Sequence, residues 1–155
     1  TPSVTQLMII YFVVFASVHV DKWIIAAIAF GINSGAYVSE IIRAGIMSID
    51  KGQTEAGRSL GLNAAQTMSR IIIPQAVKNI FPALCNEFIV LIKETAIVGY
   101  VGLMDIQKAG DFIKSATYKP IMPLIATAII YFVIIKVLTL LLGLIEKQLR
   151  KSEVR

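Results

Sequence analysis

The 26 residues from Pro120 to Ile145 are PIMPLIATAIIYFVIIKVLTLLLGLI, and Lys136 is the one charged residue among them. The hydrocarbon core of a bilayer is about 30 Å thick, and a helix of about 20 apolar residues crosses it. This stretch therefore predicts a transmembrane helix and indicates a membrane protein. We call it segment D, the last of four predicted spans.

The composition of the whole chain favours the same class. Hydrophobic residues make up 56% of the 155 residues, charged residues make up 16%, and the mean hydropathy is +0.74. Soluble domains are about 45–50% apolar even with glycine counted, and about 25% charged. A disordered chain is excluded because disorder requires low hydrophobicity. A soluble globule is disfavoured because a chain of this size cannot hide so much apolar surface from water.

Three further predicted spans precede segment D. Segment A covers residues 1–20 and carries no charge. Segment B, residues 23–49, starts with an apolar half and continues with small and polar residues, which let membrane helices pack closely. Segment C, residues 75–98, contains Pro82, which predicts a kink or a break there. The stretch 99–119 mixes glycines, charges and apolar residues and is predicted to lie along the membrane interface.

The positive charges predict the orientation. If the polar loop after segment B is cytoplasmic, four crossings place the C-terminal tail in the cytoplasm as well. Nine cations then face the cytoplasm, four face outside and two lie within spans, as the positive-inside rule requires. The cytoplasmic cations are Arg43, Lys51, Arg58, Arg70, Lys78, Lys147, Arg150, Lys151 and Arg155, and the outer ones are Lys22, Lys108, Lys114 and Lys119.

Several other functions are excluded by what the chain contains. The charges form no basic face with interleaved aromatic residues, so no nucleic-acid partner is expected. Cys85 is the only cysteine, which rules out an internal disulfide. His19 is the only histidine, so no metal site is expected. The sequence also lacks a Walker A pattern, so the chain is not expected to hydrolyse ATP.

The loop between segments B and C, about residues 50–74, carries the decisive motif. It contains Glu55-Ala56-Gly57, then three residues, Gly61, nine residues and Ile71-Ile72-Ile73-Pro74. A short helix with small residues can enter a groove on a partner, and Glu55 offers that partner a carboxylate. Gly61 permits a sharp reversal of the chain. The structural alternative is a surface helix that ends at a glycine.

Local signals predict how this loop folds. Gly61 is suited to the position after the end of a short helix. Asn63 with Gln66 three residues later predicts a capping box at the start of the next helix. Pro74 suits the first turn of a further helix.

This spacing resembles the EAA loop of ABC importer permeases: Glu-Ala-Ala, three residues, Gly, nine residues and Ile-x-Leu-Pro. Two positions depart from that pattern, since Gly57 stands for the second alanine and Ile73 for the leucine. The resemblance implies that Glu55, Ala56, Gly57, Gly61 and Pro74 belong to a coupling loop. In the family, this loop docks on the ATPase subunit and transmits its motion.

The resemblance extends over essentially the whole chain, to the polar amino-acid permeases of the histidine, glutamate, glutamine, arginine and opine type. The matching stretches are Thr1-Pro2, Gln6-Leu7, Ile10-Tyr11-Phe12, Asn33 to Tyr37, Glu40 to Ile46, Asp50 to Gln53, Pro82-Ala83-Leu84, Asn86-Glu87-Phe88 and Lys93-Glu94-Thr95. It implies an all-α, multi-pass transmembrane helical bundle like a type I ABC importer permease, with a cytoplasmic coupling helix. Residues 1–155 are expected to form a single permease domain. Members usually have five spans, so the first is expected to be absent and the start to be internal to a longer protein.

Polar residues at mid-membrane depth indicate a substrate path, because such groups are costly in lipid. Counted from Trp23 at the interface, Asn33 lies roughly 15 Å deep at about 1.5 Å per residue. Counted from Pro74, Asn86 and Glu87 lie about 18–20 Å along segment C. The predicted substrate path consists of Asn33, Ser34, Tyr37, Asn86 and Glu87.

An amino acid requires acceptors for its ammonium group and donors for its carboxylate. Glu87 is the preferred ammonium partner, and Asn33, Ser34 and Asn86 suit either end. Packing hydrogen bonds between helices are the alternative for the two asparagines, and an internal ion pair is the alternative for Glu87. A structural ion pair is the favoured interpretation of Glu40 with Arg43, three residues apart.

The predicted function is therefore that of a permease subunit that moves polar amino acids across the bacterial cytoplasmic (inner) membrane. The resemblance implies two ATPase subunits that bind ATP and Mg, a second permease chain (identical or related), a soluble substrate-binding protein and membrane lipid as partners. This chain is expected to hold no cofactor. The alternatives are a secondary transporter driven by an ion gradient, which would need internal repeats or broken half-helices, and a non-transporting scaffold subunit.

Overall fold

The computed structural model describes residues 2–151, with side chains described for residues 2–148. Every element in that range is helical, in agreement with the predicted all-α class. The α-helices are α1 (Ser3–Ile9), α2 (Lys22–Met47), α3 (Lys51–Ser59), α4 (Ala64–Thr67), α5 (Ile73–Glu94), α6 (Ile106–Thr117) and α7 (Ile121–Lys151). The remaining elements are two π-helical turns, Ile10–Val14 and Met68–Ile72, and a 310 segment, Thr95–Val101.

In the part of the chain that the structure describes, two helices are long and apolar enough to cross a membrane by length and composition. They are α2 over Lys22–Met47 and α7 over Ile121–Gln148, and they occupy segments B and D. The helix of segment A differs from the prediction, because it ends at Val14 instead of continuing to Val20. Its last turn closes when the Phe15 N–H donates to the Ile10 carbonyl at 3.0 Å.

Segment C begins within α5, which continues through Pro82; of the kink or break predicted there, the break does not occur. Pro74 lies in the first turn of α5, as predicted, yet α4, the π-turn and α5 follow one another without a gap from residue 64 to 94. In the π-turn, the Ile73 N–H donates to the carbonyl of Met68, five residues back. A proline cannot donate this bond and clashes with the carbonyl four residues before it. A π-turn just ahead of Pro74 is the local adjustment that keeps the helix continuous.

The chain divides into two compact units, which we describe separately. The first extends up to Gly35 and from Phe88 to Leu140. Its apolar core consists of Leu7, Ala26, Ala29, Phe30, Val98, Val101 and Leu103. In this unit α1, the first half of α2 and the 310 segment therefore pack on one another. Helix α6 packs on α7 through Gly110, where an added Cβ would lie 2.5 Å from Thr127 Oγ1.

The second unit extends from Ala36 to Glu87 and, among the described residues, from 141 to 151. Here α2 and α5 approach closely at Gly45, where an added Cβ would lie 2.1 Å from Ile80 Cγ1. One turn away, Asn79 Nδ2 donates to Ser48 Oγ at 2.9 Å. The glycine permits the close crossing, and the hydrogen bond fixes its register.

Candidate functional site

The first half of the predicted coupling loop is the short helix α3. Its N-terminus is capped by Asp50, whose carboxylate accepts a hydrogen bond from the Gly52 N–H at 2.7 Å. Glu55 and Ala56 lie in the middle of α3 and are exposed, whereas Gly57 is its buried residue. The exposed surface of α3 therefore carries a carboxylate next to a small side chain.

Helix α3 ends at Ser59 with Leu60 as its C-cap, and Gly61 is the residue just after the cap, as predicted. Gly61 has a φ of +82°, in the left-handed region that favours glycine. The Leu62 N–H donates to the Gly57 carbonyl at 3.2 Å, and the Gly61 N–H donates to the Arg58 carbonyl at 3.0 Å. These two bonds form a Schellman motif, which satisfies carbonyls at the C-terminus of the helix.

The capping box at the start of α4 is also confirmed. Asn63 Oδ1 accepts from the Gln66 N–H at 2.9 Å, and Gln66 Oε1 accepts from the Asn63 N–H at 3.0 Å. Backbone groups at both ends of the turn between α3 and α4 are thus hydrogen-bonded to residues of the turn itself.

Gly57 contacts its own chain. A Cβ at this position would lie 2.8 Å from Thr67 Cγ2 and 2.9 Å from Ile71 Cδ1. Thr67 is 1% exposed, and its hydroxyl donates to the Asn63 carbonyl at 3.0 Å. Sequence reasoning assigned Gly57 to the docking surface and missed Thr67, because no local signal pairs residues of two different helices.

In the first unit, Asn33 of α2 is buried, with 9% exposure. Its Nδ2 donates to Gln6 Oε1 of α1 at 2.9 Å, and Gln6 Nε2 donates to the Ala29 carbonyl at 3.4 Å. A carbonyl can only accept, so Gln6 must present its nitrogen to Ala29 and its oxygen to Asn33. Asn33 therefore donates to Gln6 through its Nδ2, and its Oδ1 can act only as an acceptor. No local signal in the sequence pairs Gln6 with Asn33, because 27 residues separate them.

The other residues of the predicted substrate path differ in exposure. Ser34 and Glu87 are half-buried, Asn86 is exposed and Tyr37 is 56% exposed. Asn33 and Ser34 belong to the first unit, and Tyr37, Asn86 and Glu87 to the second. Their common depth therefore stays a prediction from the sequence.

The ion pair between Glu40 and Arg43 is confirmed. Arg43 Nε donates to Glu40 Oε2 at 2.9 Å, and a second, shorter bond joins Arg43 Nη2 to Glu40 Oε1. Both side chains are more than half exposed, so the pair is a local feature of the helix surface.

A concavity of about 610 Å³ lies between the 310 segment and α6, lined in part by Tyr100, Gln107, Lys108 and Asp111. Lys114 Nζ donates to Asp111 Oδ1 at 2.7 Å. This hydrogen bond holds the pKa of the Asp111 carboxyl below its ordinary value.

Among the residues that the structure describes, no cluster of three or more histidine, cysteine or acidic side chains is placed to hold a metal ion.

Comparison with known proteins decides the class of this chain. Residues 1–151 match the family of the binding-protein-dependent transport system inner membrane component. The chain belongs to this family. Its fold is the all-helical fold of a type I permease, and it is a permease component of an ABC transport system. The finding confirms the predicted class and does not favour a secondary transporter.

Relatives in this permease family include the arginine transport system permease protein ArtQ of Bacillus subtilis, which is 44% identical over 99% of this chain and 71% of its own length. The glutamine transport system permease protein GlnP of Escherichia coli is 34% identical over 97% of this chain and 70% of its own length. A chain in the crystal structure of an amino acid ABC transporter with histidines matches with a TM-score of 0.87 and 47% identity. That match covers 96% of this chain and 70% of the other.

Proposed function

We propose that this chain is the permease subunit of an importer that carries polar amino acids across the bacterial cytoplasmic membrane. ATP hydrolysis takes place in separate ATPase subunits, and the coupling loop receives their motion. The observation that carries this proposal is the geometry of α3, a helix capped at both ends with Glu55 exposed on its surface. The names of the relatives, arginine and glutamine permeases, support the class of substrate.

The capping of α3 suits it to transmit motion. A flexible loop would absorb a displacement, whereas a helix with satisfied ends and one close internal contact moves as a body. Glu55 then presents a fixed carboxylate to a basic residue of the ATPase, and Ala56 beside it permits close approach. Gly61 and Pro74 shape the path from α3 into the long helix that continues as α5.

The substrate path provides acceptors for the cationic end of an amino acid. Because Gln6 orients the Asn33 amide, Asn33 Oδ1 is an acceptor and suits an ammonium or guanidinium group. The Glu87 carboxylate has the same preference, and a charge-assisted bond is about twice as strong as a neutral one. Ser34, Tyr37 and Asn86 supply further polar contacts, including donors for the carboxylate.

The assembly consists of this chain, a second permease chain (identical or related), two ATPase subunits and a substrate-binding protein. The coupling loop and the C-terminal tail face the cytoplasm, as the cation asymmetry predicts. An Asn63→Cys variant in a Cys85→Ser background tests the orientation in intact cells. An impermeant thiol reagent should label position 63 only after the membrane is opened, and ready labelling from outside would contradict the orientation.

The coupling role is tested in proteoliposomes that hold the assembled transporter and its binding protein, with arginine and glutamine as first probes. Glu55→Lys should abolish ATP-driven uptake, because it reverses the charge offered to the ATPase, while membrane insertion is retained. Thr54→Lys is the control: it introduces the same lysine side chain next to Glu55, at an exposed position one turn from Arg58 and on a face of α3 that is already basic, and leaves the Glu55 carboxylate in place. Normal uptake by the Glu55→Lys transporter would refute the proposed role.

A further inference from the structure

The contact between Gly57 and Thr67 leaves no room for a side chain at position 57. The backbone at Gly57 lies outside the left-handed region, which among the glycines is adopted only by Gly61 and Gly102. Glycine is therefore required here because a Cβ would clash with neighbouring atoms, two of which belong to Thr67. An added Cβ would lie 2.8 Å from its Cγ2 and 3.1 Å from its Oγ1.

Thr67 cannot move aside easily. Its hydroxyl donates to the Asn63 carbonyl at 3.0 Å, the bond to the residue four positions back that fixes the χ1 angle of a helical threonine. With the hydroxyl held there, the methyl group must point at Gly57. Ile71 also meets the added Cβ, but through Cδ1, the far end of a flexible side chain. Of the two neighbours, Thr67 is the rigid one.

Gly57 is also tied to the turn that follows. Its carbonyl accepts the Leu62 N–H in the Schellman motif, so α3 cannot shift at Gly57 without disturbing the turn at Gly61. Glu55 lies two residues before Gly57 on the same short helix. Any displacement at Gly57 therefore moves the Glu55 carboxylate with it.

We propose that Thr67 is a positioning residue of the coupling loop: its side chain, locked by Asn63, sets the distance of α3 from α4 and thereby the place of Glu55. This inference rests on the proposed role of the coupling loop in receiving the ATPase's motion. Gly57 then acts within the chain itself, because it forms the surface that the Thr67 side chain contacts.

The experiment compares Gly57→Ala, Thr67→Ser and the double variant in the assembled transporter, measuring amino-acid uptake per ATP hydrolysed. Gly57→Ala should lower that ratio about tenfold, because overpacking a rigid contact displaces backbone. Thr67→Ser keeps the hydroxyl bond but removes the methyl group that sets the distance of α3, so alone it should lower the ratio about threefold. In the double variant the serine makes room for the new Cβ, and the ratio should recover to nearly the original value.

Gly143→Ala, at a position in α7 where an added Cβ has no described atom within 4 Å, controls for the higher helix propensity of alanine. A merely structural contact would lower the yield and melting temperature of the complex and leave uptake per ATP unchanged, which would overturn the proposal. Failure of Thr67→Ser to restore Gly57→Ala would overturn it as well. If Glu55→Lys also left uptake normal, the coupling role of the whole loop would be wrong, a result distinct from failure of the Thr67 assignment.

Discussion

The coupling loop and the surroundings of Asn33 are held in different ways. In the turn between α3 and α4, the shaping hydrogen bonds join residues three to five positions apart. At Asn33, the decisive bond reaches from α2 to Gln6 of α1 across 27 residues. The first set determines the path of the backbone, and the second determines which atom of one side chain faces a ligand. Changes in the loop should therefore act on coupling, and changes around Asn33 should act on substrate affinity.

After the loss of uptake expected for Glu55→Lys, the largest effect is expected at Gly61, where the backbone conformation favours glycine. Gly61→Val places a β-branched residue at a φ of +82°, a conformation that costs an L-residue about 1–2 kcal/mol before branching is considered. No described atom lies within 4 Å of an added Cβ there, so the Cβ itself meets no steric obstacle and the strain arises from the backbone conformation. Uptake should fall more than about tenfold, while Gly61→Asn, which tolerates this conformation, should stay within about twofold of the original. Equal uptake by both variants would contradict the role of the turn.

The next largest effect concerns Glu87. Glu87→Gln keeps the shape and removes the charge, so uptake of a cationic amino acid should fall about tenfold, the loss of one charge-assisted hydrogen bond. Glu94→Gln is the matched control on the same helix: Glu94 accepts from Ser3 Oγ at 2.8 Å, and an amide oxygen can accept equally. Uptake and the melting temperature of the complex are both measured. A Glu87→Gln transporter with full stability and full uptake would remove this residue from the substrate path.

The same contrast explains what the sequence could predict. The Gly61 turn and the Asn63–Gln66 capping box are determined by residues close together in the sequence, and both appear as predicted. The transmembrane character of α2 and α7 follows from length and apolar composition.

The long-range contacts could not be derived in this way. The Gly57–Thr67 contact joins two helices, and the Gln6–Asn33 bond joins two more, so neither has a signal in a single short window. The end of the first helix at Val14 was also missed, because residues 15–20 are apolar enough to suggest that the helix continues. Composition predicts which segments suit lipid, but it does not predict where a helix ends inside an apolar run.

A smaller effect is expected at Gln6. Gln6→Met removes the acceptor that orients the Asn33 amide, which can then turn a donor toward the substrate path. The KM for a cationic amino acid should rise about fivefold, corresponding to about 1 kcal/mol for one neutral hydrogen bond, with kcat nearly unchanged. Thr5→Met, at the exposed neighbouring position on α1, is the control. A fall in kcat at unchanged KM would show that Gln6 acts on coupling. It would contradict the assignment of coupling to the loop and of substrate affinity to the surroundings of Asn33.

The smallest effect is expected at the capping box. Asn63→Ala removes one side-chain cap worth about 1 kcal/mol. The Asn63 backbone carbonyl remains, so Thr67 is still locked and α3 keeps its place; uptake per ATP should change less than about twofold. The melting temperature should fall by about 2–4 °C, and Asn63→Asp, which retains an acceptor at a helix N-terminus, should restore most of it. Because Asn63 and Gln66 satisfy each other's backbone, their alanine variants should be less than additive in stability. A large loss of coupling from Asn63→Ala alone would mean that the cap, rather than the Gly57–Thr67 contact, positions α3.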